Sequence, residues 1–167
     1  MLFEASLDAP DTSNGKSLNI LVVDDEAGSR MALSAVLTLA GHVALFATDG
    51  DEALEMFDSA QVPFDLIITD HAMVRVSGVD LVRQLRERGF AGEIVVLTAY
   101  AGTIEEQEYK KLEVAGIMEK PFDIAELRRW INCIHECREQ SSIGGKLPSQ
   151  LRAINFYWVK HDPPAGP

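Results

Sequence analysis

The chain has 167 residues, a size that suits one globular domain with some tail rather than two. Its 47% hydrophobic and 25% charged content is ordinary for a soluble globular protein, while a net charge of −11 with no basic stripe argues against a general binder of nucleic acid or anionic membrane. No apolar run approaches the ~20 residues that span a bilayer, and the stretch MLFEASLDAPDTSNGKS has neither the basic nor the apolar region of a secretory signal.

In chain order, residues 1–17 are polar and rich in Ser, Asp, Asn and Gly, which reads as a flexible leader. The run LNILVV from Leu18 is of the buried parallel-strand kind and is stopped by Asp24, Asp25 and Glu26. Residues 27–40 follow as a helix, with Met31, Leu33, Val36, Leu37 and Ala40 near helical spacing and Gly41 placed to close it. HVALFA is a second strand, and residues 49–60 form a helix whose acidic first turn suits the helix dipole. FDLIIT is a third strand, and residues 78–88 an amphipathic helix carrying Val79, Leu81, Val82 and Leu85. EIVVLTA is a fourth strand, residues 102–113 a polar helix, and AGIME a short fifth strand. Residues 123–138 form a last amphipathic helix on Ile124, Leu127, Ile131 and Ile134.

Residues 139–167 read as a tail. SSIGGKLPSQ is a linker by composition, and the Phe156–Tyr157–Trp158–Val159 cluster either packs back on the domain or meets a partner. Cys133 and Cys137 lie four apart on a predicted helix without clustered ligands, so they make no metal site and fit free thiols in a reducing cytoplasm. His71 reads as a solvated loop histidine rather than a metal ligand or phosphohistidine, and His42, His135 and His161 show no ligand spacing and read as surface or tail groups. Trp130 reads as a core or flank residue.

Five strands alternating with five helices predict an α/β fold with right-handed crossovers and a doubly wound parallel sheet covered on both faces. Functional groups gather at the carboxyl ends of such strands. Asp24 and Asp25 follow the first strand, Asp70 the third, Thr98 ends the fourth and Lys120 follows the fifth. If the first and third strands are neighbours, the acids share a crevice where like charges repel. A hard divalent cation relieves that repulsion, and Mg²⁺ prefers a few carboxylates with retained waters. A carboxylate held there can attack a phosphoryl group, with Lys120 as a second positive group and Thr98 as a hydroxyl donor. The bland alternative for Asp70, a helix cap or loop carboxylate, leaves the other four residues without a shared role.

In order, VVDDE, TDHAM…SG, VVLTA and EKPF resemble the motifs of the response-regulator receiver domain of two-component signalling, over residues 18–138. The resemblance implies a flavodoxin-like (βα)5 fold with strand order 2-1-3-4-5. It implies Asp70 as phosphoacceptor, with Thr98 and Lys120 as switch and phosphate-contact residues. It implies a Mg²⁺ site formed by Asp25 directly, Asp24 mainly through metal-bound water, Asp70, and the backbone carbonyl of Ala72. Lys120–Pro121 corresponds to a bond that is usually cis in the family. The implied partners are a histidine kinase or histidine phosphotransfer protein as donor and a downstream protein target, with a homodimer through the fourth helix, fifth strand and fifth helix, or through the tail, as a further option. Neither nucleic acid nor membrane is among them.

The sequence departs from the family pattern where Val74, not proline, follows Met73, where Ser77 precedes Gly78, and where Ile117 takes the aromatic switch position. A looser loop and weaker metal binding are the expectation; Tyr100, two residues after Thr98, is one alternative to the missing aromatic rather than the expected one. Ala72 cannot orient an attacking water, which predicts a slowly hydrolysing aspartyl phosphate. The expectation is a single-domain regulator that works through protein contacts and is not an enzyme beyond assisting its own phosphotransfer. A phosphorylation-independent binding module and a receiver portion of a hybrid kinase are the alternatives. A transcription factor would need a DNA-binding domain, for which the tail has no helix-turn-helix pattern. An aspartate-nucleophile phosphatase would need a second Asp two residues after the first, a spacing DDE lacks.

Overall fold

The computed structural model describes residues 17–99 and 105–141. Along each inner strand, neighbouring side chains enter opposite cores, as the two-residue pleat requires. In β1 (Asn19–Val23), Ile20 and Val22 face one side, and Leu21 and Val23 the other. In β4 (Glu93–Thr98), Val95 and Leu97 oppose Ile94 and Val96 in the same way. Burial on both faces explains why these strands read as continuous apolar runs rather than as alternations.

With β2 (Val43–Ala47), β3 (Leu66–Asp70) and β5 (Gly116–Glu119), they form one parallel sheet in the order β2-β1-β3-β4-β5. Helices α1 (Ala27–Leu39) and α5 (Ile124–Ser141) cover one face, where Leu33, Val36, Leu37, Leu127, Ile131 and Ile134 pack. Helices α2 (Gly50–Ser59), α3 (Gly78–Glu87) and α4 (Glu105–Lys111) cover the other, through residues such as Leu54, Leu81, Leu85 and Tyr109. The expected flavodoxin-like fold and strand order are therefore present. The order places the ends of β1 and β3 side by side.

Local chemistry sets the helix boundaries. Asp49 caps α2 by accepting from the Glu52 N–H at 2.9 Å, and Glu52 reaches back to the Thr48 hydroxyl at 2.6 Å and N–H at 2.7 Å. Those hydrogen bonds from Thr48 hold the Glu52 carboxyl below the usual carboxylate range. Gly41, at φ 80°, closes α1: its N–H bonds the Thr38 carbonyl and the His42 N–H bonds that of Leu37. Gly89 closes α3 in the same way.

Not every expected core residue is buried. Met31 is 74% exposed, because at 3.6 residues per turn it lies about 160° around α1 from Leu33. Ile124 is 52% exposed, at the open first turn of α5, one turn ahead of the buried Leu127. Trp130 is a flank residue whose ring lies over Gly116, where any Cβ would collide with it. His42 is half-buried, its Nδ1 accepting from the Leu18 N–H at 3.4 Å, rather than a plain surface group. Among the described residues no helix is long and apolar enough to cross a membrane. The leader, Tyr100, His161 and the aromatic cluster after Ser141 lie outside the described residues.

Candidate functional site

The carboxyl ends of β1 and β3 bring Asp24, Asp25 and Asp70 together, with one carboxylate oxygen from each lying within 4.8 Å of the others. Asp24 is fully buried and Asp70 is 7% exposed, whereas Asp25 faces solvent. Buried carboxylates need partners, and these have them. Asp24 accepts from the Glu26 N–H at 2.8 Å, the Ser29 hydroxyl at 2.6 Å and Lys120 Nζ at 2.9 Å. Asp70 accepts from Lys120 Nζ at 2.8 Å and from the Ala72 N–H at 3.3 Å.

Lys120 thus spans the ends of three strands. Burial acts to lower the pKa of its ammonium, but the hydrogen bonds and charges of Asp70 and Asp24 outweigh it and hold the pKa above the ordinary lysine value. The group is a cation throughout the physiological range. The Lys120–Pro121 peptide is cis, and the Lys120 N–H donates to the Thr98 carbonyl at 2.6 Å. Thr98 is itself buried at the end of β4, on the strand next to Asp70. Arg30 also belongs to the site, its guanidinium donating to the backbone oxygen of Asp24 at 2.6 Å.

Asp24, Asp25, Asp70 and Lys120 therefore meet at the carboxyl ends of the strands, with Thr98 at the end of the neighbouring β4. The loop after β3 holds Ala72 through its N–H, buries Met73, and leaves Val74 89% exposed. Ser29 and Arg30 were not singled out from sequence; a Ser-Arg pair in a first helical turn carries no distinctive spacing. His71, expected in solvent, is half-buried with its Nδ1 2.8 Å from the Tyr109 hydroxyl. Ile117 is buried among the residues of the α2–α4 core.

The donor set consists of carboxylate oxygens with negative charge in excess, which suits a hard cation of the Mg²⁺ class rather than a softer metal. Close backbone approach secures the geometry. A Cβ on Gly78 would come within 2.5 Å of the Asp70 carbonyl oxygen and 2.8 Å of the His71 Cα, neither of which can swing aside. Gly78→Ala is expected to lower stability by about 2 kcal/mol in urea unfolding, and an unchanged midpoint would show that the strand end yields.

Comparison with known proteins gives the same answer as the geometry. The family model described as the response regulator receiver domain matches residues 20–132. The chain is 37% identical over 111 residues to the response regulator MprA of Mycobacterium ulcerans, covering 66% of this chain and 47% of that protein. It is 31% identical over 115 residues to the two-component response regulator ARR22 of Arabidopsis thaliana, covering 67% of this chain and 80% of that one. The chain thus spans about half the length of the mycobacterial relative. Among solved structures, the Vibrio cholerae chemotaxis protein CheY4 superposes with a TM-score of 0.66 at 30% identity, over 71% of this chain and 99% of that one. With motifs, strand order and strand-end acids all in agreement, the chain belongs to the response regulator receiver domain family.

Proposed function

We propose that this receiver accepts a phosphoryl group on Asp70 from a phosphohistidine of a histidine kinase or histidine phosphotransfer protein, and signals through contacts with a downstream protein. The observation that carries this reading is the Lys120 ammonium, bonded to both Asp70 and Asp24 inside the acidic cluster. In the step, an Asp70 carboxylate oxygen bonds to phosphorus and the P–N bond to the donor imidazole breaks. The electron pair goes to the ring nitrogen, leaving an acyl phosphate on Asp70. Lys120, already within hydrogen-bond reach of Asp70, neutralises charge on the phosphoryl oxygens, and Thr98 offers a hydroxyl to one of them.

Asp24, Asp25, Asp70 and the Ala72 carbonyl would hold Mg²⁺, which when bound supplies further charge neutralisation for the transferring group. Ala72 has no polar side-chain atom with which to orient a water, which favours a long-lived adduct. The protein then acts as a switch rather than as a turnover enzyme. A reducing, cytoplasmic setting goes with this reading, and in it the exposed Cys133 stays a thiol.

The test is incubation with Mg²⁺ and acetyl phosphate, read by intact mass. A single phosphoryl adduct is expected. Absence of an adduct, with a phosphohistidine donor as well, would favour the second reading, a phosphorylation-independent binding module. Ile117, buried where receivers place an aromatic ring, is the observation on that side.

Metal binding can be tested by itself. A ligand that binds only the folded state stabilises by RT ln(1 + [L]/Kd), about 1.4 kcal/mol at ten times Kd. Mg²⁺ is expected to raise the unfolding temperature. Asp25→Asn, which removes the exposed carboxylate without disturbing the buried pairs, is expected to abolish most of that rise. Equal Mg²⁺ stabilisation of the variant would remove Asp25 from the ligand set.

A further inference from the structure

Helix α4 is described over Glu105–Lys111, and among its side chains at 107–111 only that of Tyr109 is buried, at 2% exposure. That ring enters the α2–α4 core, with the partly buried Leu112 just beyond the helix packed beside it. A phenol carried into a core needs a hydrogen-bond partner for its hydroxyl, and here the partner is Nδ1 of His71 at 2.8 Å, with the two rings edge to face at 5.8 Å. The bond forms with either ring tautomer, the phenol donating in one and accepting in the other.

His71 is the residue directly after Asp70, and its backbone is tied on both sides. Its N–H donates to the Leu97 carbonyl at 2.7 Å, and its own carbonyl accepts from the Gly78 N–H at 2.9 Å. Gly78 at the start of α3 lets the phenol in: a Cβ there would lie 2.9 Å from the Tyr109 oxygen. Three elements meet at one hydroxyl: the end of β3, the start of α3 and the body of α4. Ile117, buried in the same core, has no polar side-chain atom with which to make such a link.

We propose that the His71–Tyr109 hydrogen bond transmits the state of Asp70 to α4, making His71 and Tyr109 the positioning residues of the switch. The inference rests on Asp70 being the phosphoacceptor. A change of charge and bulk at Asp70 moves the 70–71 backbone; the imidazole carries that movement to the phenol, and the phenol to the buried anchor of α4. A helical segment whose one buried side chain among residues 107–111 is this ring shifts between packings when the ring moves. A merely structural bond, which satisfies a buried hydroxyl and nothing more, would leave the response of α4 intact when removed.

The experiment is amide hydrogen exchange of residues 105–111 in the full chain, with and without beryllium fluoride plus Mg²⁺ as a stable phosphoryl mimic. In the wild type the mimic is expected to change exchange in α4 by about tenfold, within the usual range of coupling between sites. In Tyr109→Phe and His71→Leu the change is expected to fall to about twofold or less, with mimic affinity held within about threefold. His71→Asn, whose amide stands where Nδ1 stood, is expected to restore the response. A full response in Tyr109→Phe overturns the coupling alone. A wild type that does not bind the mimic, or binds it equally well as Asp70→Asn, overturns the coupling together with the phosphoacceptor reading beneath it.

Discussion

Asp70→Asn is expected to abolish the phosphoryl adduct completely while leaving the fold in place. The substitution keeps the shape of the side chain, so the strand end and its packing survive, but a neutral amide oxygen is not a competent nucleophile. Lys120 retains Asp24 as a partner at 2.9 Å, so no buried charge is left unpaired. Asp24→Asn and Asp25→Asn provide the contrast. Each leaves the nucleophile intact and weakens only its surroundings, so each is expected to slow adduct formation by about tenfold or more without preventing it, the size of effect given by loss of one well-placed charge. Intact mass against time with acetyl phosphate separates the three. An adduct of undiminished size on Asp70→Asn would move the acceptor to another residue and defeat the assignment.

What was legible in the sequence was what is written locally. Strands buried on both faces announce themselves as unbroken apolar runs, and LNILVV, FDLIIT and EIVVLT lie where the sheet has β1, β3 and β4. A carboxylate at the end of such a run is anomalous by its neighbours alone, which is why Asp24, Asp25 and Asp70 stood out before any contact was known. Met31 misled because spacing near three or four was counted without fixing the angle; Leu33, Val36 and Leu37 define an arc that excludes it. The His71–Tyr109 bond was not legible at all. It joins residues 38 apart in the chain, and neither residue type has a local pattern that names its partner. The register of three separate elements decides that contact, and register follows from the assembled sheet rather than from any one segment.

Arg86 belongs to the same unreadable class, and its replacement is expected to have the largest effect on stability. In sequence it is a basic residue in the last turn of an amphipathic helix, an ordinary complement to the helix dipole. In the fold its guanidinium donates to the carbonyls of Phe90 at 2.7 Å, Gly92 at 2.9 Å, Leu112 at 3.0 Å and Glu113 at 3.0 Å, with the charge 5.6 Å from the Phe90 ring centre. Two of those oxygens belong to the turn between α3 and β4, and two to the turn that ends α4. In the latter, Glu113 takes the left-handed conformation, φ 52°, that glycine fills more readily. One planar fork therefore fastens two loops and supports a strained residue. Each hydrogen bond to a charged donor contributes about 1.5–3 kcal/mol, but four on one group in a half-exposed setting do not add. Arg86→Met, which keeps the apolar stem, is expected to lower stability by about 3 kcal/mol in urea unfolding with little change in slope. Arg86→Lys should recover less than half of that, because a single ammonium cannot reach carbonyls on both loops at once. Full recovery by lysine would mean that charge at the helix end, rather than the fork, stabilises this corner, and the tie between α3 and the end of α4 would lose its physical basis.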